Sequence, residues 1–245
     1  MAAQWRSFPL PQRFVPRTSS YKSLVAKLSS QVPSVSSPFA LSRRAGAPSA
    51  LDGKDILDRG LASLGLVCLL PLLLLIALAV CLDSKGPALF RQTRTGRNGK
   101  PFRIYKFRTM TVQEDGAVVQ PARKGDTRVT RIGRILRRTS LDELPQLLNV
   151  IRGEMSLVGP RPHALAHDEH YGREIPAYAR RFAIRPGLTG WAQVNGSRGE
   201  TPTAADMQRR VDLDLWYVQN RTLALDLTIL ARTVVDEITR RTNAY

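Results

Sequence analysis

Acidic residues are missing from the first fifty positions, and charge of either sign is missing from Gly60 to Leu82. Cysteine is nearly absent as well. Cys68 and Cys81 both fall inside that uncharged run, where they read as small apolar side chains and offer neither a disulfide framework nor a metal-ligand pattern. All three histidines crowd into His163–His170. That run lacks the glutamate directly after the first histidine that a metalloprotease helix needs, so it is read as a solvated loop or helix rather than a zinc site. Internal repeats are absent. The 245 residues suffice for one generous domain with an ordinary core.

What is present is strongly basic, at +17. Such a balance calls for an anionic partner: nucleic acid, an acidic membrane face, or phosphate-bearing substrates. Residues 1–52 form a Ser- and Pro-rich arm carrying Arg6, Arg13, Arg17, Lys22, Lys27, Arg43 and Arg44. It reads either as a disordered, solvated tail or as a tether to anionic headgroups, at about 1 kcal/mol per basic side chain near the surface.

The run from Gly60 to Leu82 is long enough to cross the hydrocarbon of a bilayer, and in a nucleic-acid-binding protein it would be an aggregation hazard. Nucleic acid is therefore not the expected partner. Pro71 stands at its middle and predicts a break or kink. Both flanks are basic, with Arg43, Arg44, Lys54 and Arg59 before it and Lys85, Arg91, Arg94, Arg97 and Lys100 after it. One straight crossing satisfies the positive-inside tendency at one end only. A membrane segment over 53–84 that enters, bends at Pro71 and returns satisfies it at both, and is preferred to the straight crossing.

Residues 85–245 read as a cytoplasmic catalytic domain. Phe102–Phe107 suits a strand. Helices are expected over Asp142–Ile151, with Gly153 as C-cap, over Ala204–Asn220 and over Leu223–Arg240. The last of these has Leu223, Leu227, Leu230, Val234 and Ile238 on one stripe, which either covers the core or lies along a membrane surface.

The densest chemistry lies in Arg137-Arg138-Thr139-Ser140-Leu141-Asp142-Glu143-Leu144-Pro145-Gln146. Ser140 and Glu143 have capping-box spacing. Pro145 is comfortable only in a first helical turn, however, so the helix should begin near Leu141 or Asp142. Asp142 is then either a plain N-cap or a carboxylate nucleophile kept ionised by the arginines, with Glu143 helping to hold a divalent metal. Mg²⁺ suits one or two carboxylates plus substrate phosphates, so the pair suits phosphoryl transfer. Basic segments around Lys106 and at Gly159-Pro160-Arg161-Pro162 add candidate phosphate ligands. The glycine-rich stretch Arg185–Gly196 either shapes a nucleobase or sugar pocket or is a structural turn.

These blocks in their order resemble the bacterial sugar transferases, the monotopic polyprenyl-phosphate phosphoglycosyl transferases that prime polysaccharide assembly. The matching segments are Asp83–Pro87 through Phe90–Gln92, Tyr105–Met110, Thr139–Gln146, Gly153–Pro162 and Pro186–Gly196, so the likeness runs from about Lys54 to the C-terminus. The resemblance implies a mixed α/β catalytic domain, compact, with an N-terminal re-entrant membrane helix and interfacial amphipathic helices. It implies that Asp142 and Glu143 are the catalytic dyad and hold Mg²⁺, that Lys106, Arg137 and Arg161 bind substrate phosphates, and that Pro71 marks the membrane-helix break. It further implies transfer of a sugar 1-phosphate from a UDP-sugar, UDP-glucose or another UDP-hexose, to undecaprenyl phosphate. The route is an aspartyl phospho-sugar with release of UMP, at the cytoplasmic face of the bacterial inner membrane, among membrane lipids and with the oligomeric state left open. The alternative is a catalytically inactive scaffold of a polysaccharide assembly complex. Three positions depart from the family pattern: Lys54-Asp55-Ile56-Leu57-Asp58 lacks one basic residue, Leu70 replaces a serine before Pro71, and Arg221 replaces a usual tryptophan.

Overall fold

The computed structural model describes residues 53–111 and 126–239, so the basic arm lies outside the described residues. The first element is α1, Gly53–Asp83, a single helix of 31 residues. At 1.5 Å per residue it would be about 46 Å long if straight, more than the ~30 Å of a bilayer's hydrocarbon. The break expected at Pro71 is not seen, and the helix runs through it. Proline removes one N–H bond, but abandoning the helix would free many more backbone groups among leucines that have nothing else to offer them.

Buried residues Asp58, Ala62, Leu73, Ile76 and Val80, joined by the half-buried Leu66 and Leu69, form one stripe at helical spacing on both sides of Pro71. That stripe packs on the rest of the chain. The remaining surface of α1 is equally apolar and has no partner among the described residues, with Leu64, Val67, Leu74, Leu75 and Leu82 all exposed.

β1 (Leu89–Thr95) and β2 (Pro101–Phe107) form an antiparallel hairpin in the register Leu89↔Phe107 to Thr95↔Pro101. Asn98 and Gly99 at its tip take positive φ, which these two residue types tolerate best. α2 (Arg131–Arg138) begins at Thr130, whose hydroxyl accepts from the Gly133 amide at 2.9 Å. A 3-10 segment, Leu141–Gln146, leads into the short α3 (Leu147–Ile151), and Gly153 follows at φ +75°. The helix expected over Asp142–Ile151 is thus 3-10 in its first half, a tighter winding common at α-helix starts.

β3 (Ser156–Val158) pairs in parallel with β4 (Gly187–Thr189), pairing Ser156 with Gly187 and Val158 with Thr189. α4 (Leu165–Glu174) and a 3-10 segment, Tyr178–Ala183, lie between them, and a short α5 (Trp191–Val194) follows. α6 (Ala204–Asn220) starts with a full capping box between Thr203 and Asp206, and α7 (Leu223–Thr239) completes the described chain. Helices and two small sheets therefore mix, with helices predominant.

Three apolar clusters hold these elements together. One joins Ala62 of α1 to Ile104, Val150, Val158, Tyr217 and Ile229. A second packs Tyr178 and Phe182 on Met207, Val211 and Leu215 of α6. The third seats Leu73, Ile76 and Val80 of α1 on Phe107 and Leu136. On α7 the core-facing residues are Leu225, Ile229 and Leu230, whereas Leu223, Leu227, Val234 and Ile238 point outward. Most of the stripe read from the sequence is therefore an exposed apolar face.

Candidate active site

β2 alternates, and its inward face carries Phe102, Ile104 and then Lys106. A lysine at such a position needs a partner, and Lys106 Nζ donates to Glu143 Oε1 at 2.8 Å. Burial draws the Lys106 ammonium below the ordinary lysine range, Glu143 pulls it back up, and Arg161 adds to the lowering.

Arg161 reaches the same carboxylate from the turn after β3. Its guanidinium donates from one nitrogen to Glu143 Oε2 at 2.9 Å and from the other to Oε1, a bidentate fork. The turn depends on two glycines: a Cβ on Gly187 would sit 2.0 Å from the Gly159 nitrogen, and one on Gly190 would sit 2.2 Å from the Gly159 oxygen. The Arg161 carbonyl in turn accepts from Arg181 at 2.8 Å. The glycine-rich stretch is thus structural at Gly187 and Gly190. Trp191, beside them, stacks on Trp216 with ring centroids 4.7 Å apart.

Between α2 and the 3-10 segment the chain reverses at Ser140, which holds φ 55°, a left-handed conformation unusual for a residue with a side chain. The hydroxyl of Ser140 accepts from Arg198 at 2.7 Å rather than capping the next turn. Asp142 lies inside that turn and does not act as its N-cap. Arg137, in the last turn of α2, donates through Nε to the Thr109 hydroxyl at 2.9 Å and lies within electrostatic reach of Asp142.

The two neighbouring carboxylates end in opposite electrostatic states. Burial acts to raise Glu143, but Arg161 and Lys106, by charge and hydrogen bond, hold it well below the usual carboxylate range. Burial and the adjacent Glu143 charge push Asp142 up to about 6, against the pull of Lys106, Arg137 and Arg161. No donor hydrogen-bonds to the Asp142 carboxylate among the described residues. One carboxylate is held by three basic-group hydrogen bonds, and its neighbour by none from the described residues. The five residues read from the sequence, Lys106, Arg137, Asp142, Glu143 and Arg161, converge here. With them come Arg94, which bonds to the Pro162 carbonyl and lies near enough to Lys106 to depress it, and the supporting Ser140, Arg181 and Arg198.

Among the described residues, no three His, Cys, Asp or Glu side chains cluster as a metal cage. A metal held by protein alone does not fit, whereas a hard cation sharing one or two carboxylates with substrate phosphates does.

The histidine run is helical from Leu165, but His163 is not solvated. Its Nδ1 lies 2.6 Å from the Tyr178 hydroxyl, which donates to Asp168 at 2.7 Å. Burial, reinforced by Arg181 and Arg210, holds the imidazole well below its ordinary pKa. Local spacing carried no sign of this, because the partner of the ring, Tyr178, lies fifteen residues along the chain.

A buried Glu143 beside a half-buried Asp142, ringed by arginines and a lysine on a domain packed against a long apolar helix, suits transfer of phosphate-bearing groups. The profile of the family described as bacterial sugar transferase matches residues 50–240, and the chain belongs to that family. A protein of Caulobacter vibrioides named UDP-glucose:undecaprenyl-phosphate glucose-1-phosphate transferase is 57% identical over 192 residues, covering 78% of this chain and 72% of its own length. An Escherichia coli protein of the same name is 53% identical over 177 residues, covering 72% of this chain but 38% of the relative. An Aeromonas hydrophila relative is 41% identical over 182 residues, 74% of this chain and 42% of its own length. It is named for transfer of N-acetylgalactosamine phosphate from its UDP donor to undecaprenyl phosphate.

Proposed function

We propose that this chain transfers glucose 1-phosphate from UDP-glucose to undecaprenyl phosphate, priming exopolysaccharide or a related glycan, through a covalent phospho-sugar on Asp142. The observation that carries the reading is the divided state of the dyad: Glu143 is locked by Lys106 and Arg161, while Asp142 beside it has no hydrogen-bond donor among the described residues and is pushed up to about 6 by burial and the Glu143 charge. At neutral pH Asp142 is ionised, yet basic enough to attack phosphorus. The choice of glucose rests on the Caulobacter and Escherichia relatives.

In the first step a carboxylate oxygen of Asp142 bonds to the β-phosphorus, the bond from that phosphorus to the α–β bridging oxygen breaks, and UMP leaves with the electron pair. In the second, an oxygen of undecaprenyl phosphate attacks the same phosphorus and the bond to Asp142 breaks, restoring the carboxylate. Lys106, Arg137 and Arg161 supply the positive field in which phosphate oxygens sit and charge redistributes. Mg²⁺ would be held by Asp142 with the pyrophosphate oxygens, and by Glu143 only where that carboxylate gives up part of its bonding to Lys106 and Arg161; when bound it neutralises phosphate charge.

The membrane reading rests on the exposed apolar surface of α1, whose mean hydropathy of 3.0 accompanies a window only 17% buried. Both ends of α1 are fastened to the same domain. Lys54 pairs with Asp226 at 2.6 Å and Ser156 donates to Asp58 at 2.5 Å near its start; Asp83 accepts from the Ile132 amide at 3.0 Å at its end. This supports re-entry, with both ends at the cytoplasmic face of the inner membrane, and the reading calls for a bend at Pro71 within the continuous helix. The outward face of α7 would lie on the same interface.

The test is UMP release from a panel of UDP-sugars by membranes holding the wild type or Asp142→Asn, with Mg²⁺ and undecaprenyl phosphate. Release with UDP-glucose that vanishes in the variant is expected. No release with any sugar from folded protein would shift the reading to a scaffold.

A further inference from the structure

Where α1 ends, Val80 O still accepts from the Ser84 amide at 3.3 Å, while Ser84 O and Lys85 O lie past the last turn and need donors from elsewhere. Arg108 reaches all three and ties the helix end to the loop that follows it. Buried to 3% exposure, its guanidinium donates to Ser84 O at 2.6 Å, Val80 O at 3.2 Å and Lys85 O, and its charge faces the negative end of the helix. Room for it exists because position 86 is glycine: Gly86 holds φ +120°, and a Cβ there would sit 2.1 Å from an Arg108 nitrogen. Asp83, on the same turn, reaches the other way and accepts from the Ile132 amide in the first turn of α2.

Both attachments lead to the reacting groups. Arg108 stands two residues beyond Lys106 on the same strand end. Thr109, the next residue, accepts the Thr130 amide on its carbonyl at 3.0 Å and Arg137 Nε on its hydroxyl. A Cβ on Gly133 would meet that same carbonyl at 2.2 Å, so α2 is pressed against it. From Ile132 the eight-residue α2 runs as one rigid rod to Arg137, with Asp142 one reversal later.

We propose that Asp83 and Arg108 are positioning residues of the active site, which couple the seating of α1 in its apolar surroundings to the placement of Arg137 and Lys106. The site is assembled by the membrane helix itself rather than merely delivered to the membrane by it. This rests on the phosphotransferase reading above.

The experiment uses the full chain in vesicles containing undecaprenyl phosphate. It compares wild type, Asp83→Ala, Asp83→Asn, Arg108→Lys and Gly86→Ala for kcat and KM of UMP release from UDP-glucose, for vesicle co-sedimentation and for thermal unfolding. Asp83→Ala and Gly86→Ala are expected to lower kcat roughly ten- to a hundredfold, with KM for UDP-glucose changed less than threefold and vesicle association unchanged. Asp83→Asn keeps an acceptor oxygen for the Ile132 amide and recovers most of the rate, and Arg108→Lys, serving fewer carbonyls, falls between. Wild-type kcat in Asp83→Ala and Gly86→Ala overturns the inference. So does a loss of rate matched by lost vesicle association or a lowered unfolding temperature, because the contacts then only hold the fold together. Absence of UMP release from the wild type would instead bring down the phosphotransferase reading, and this inference with it.

Discussion

Arg161 grips Glu143 with both ends of its guanidinium while Lys106 holds one of the same two oxygens. Under the proposed mechanism, that grip leaves Asp142 rather than Glu143 free to react.

Arg161→Lys keeps the charge but loses the fork. It is expected to lower kcat/KM for the UDP-sugar at least tenfold while leaving the folded fraction unchanged by circular dichroism. A rate within twofold of wild type would show that charge alone suffices.

Acid should silence the enzyme through Asp142. Burial and the Glu143 charge push its carboxyl up to about 6, so kcat/KM is expected to fall tenfold per pH unit below that point as the proposed nucleophile is protonated. Arg137 lowers this value, so Arg137→Gln should move the acid limb to higher pH. Measured pH profiles of the two proteins check the direction.

The same group sets a stability difference of opposite sense. A folded pKa raised above the ordinary 3.8 contributes stability fully present below 3.8 and lost as pH rises through about 6. Asp142→Asn should therefore be more stable than wild type at pH 8, by up to about 3 kcal/mol, with the advantage gone near pH 4. Thermal unfolding at the two pH values measures it.

Gly187→Ala forces a methyl group to 2.0 Å from the Gly159 nitrogen across the β3–β4 pair. A loss of about 3 kcal/mol or more is expected, together with loss of activity, because the turn that aims Arg161 starts at Gly159. Retention of the wild-type unfolding midpoint would contradict the geometry.

Chelation of divalent cations is expected to abolish UMP release, and added Mg²⁺ to restore it. Undiminished release in excess chelator would remove the metal from the dyad.

Much of the site was legible in the sequence because its chemistry is local: Arg137, Asp142 and Glu143 fall within seven residues, and Pro145 placed the helix start. Helices α6 and α7 were legible close to their observed bounds, α7 from its apolar stripe, whereas the Thr203 cap of α6 was not read. The hairpin partner β1 and the helix α2 were not read, although the Asn98-Gly99 turn and Thr130 before Ile132 were available signals. His163 was misread because burial of a polar ring depends on what packs over it from Tyr178 and Arg181, fifteen or more residues away. The attachments of Arg108 and Asp83 were equally invisible, since each side chain meets backbone far along the chain.

The stripe of α1 that carries Ala62, Leu73, Ile76 and Val80 forms a wall of two of the three apolar clusters. Anchor and core are therefore one body. Severing the helix would not release a working soluble fragment, because Phe107, Leu136 and Val150 would lose their cover and the chain would aggregate or unfold. Under the proposed function, the sugar nucleotide must therefore be brought to a site that cannot leave its helix behind.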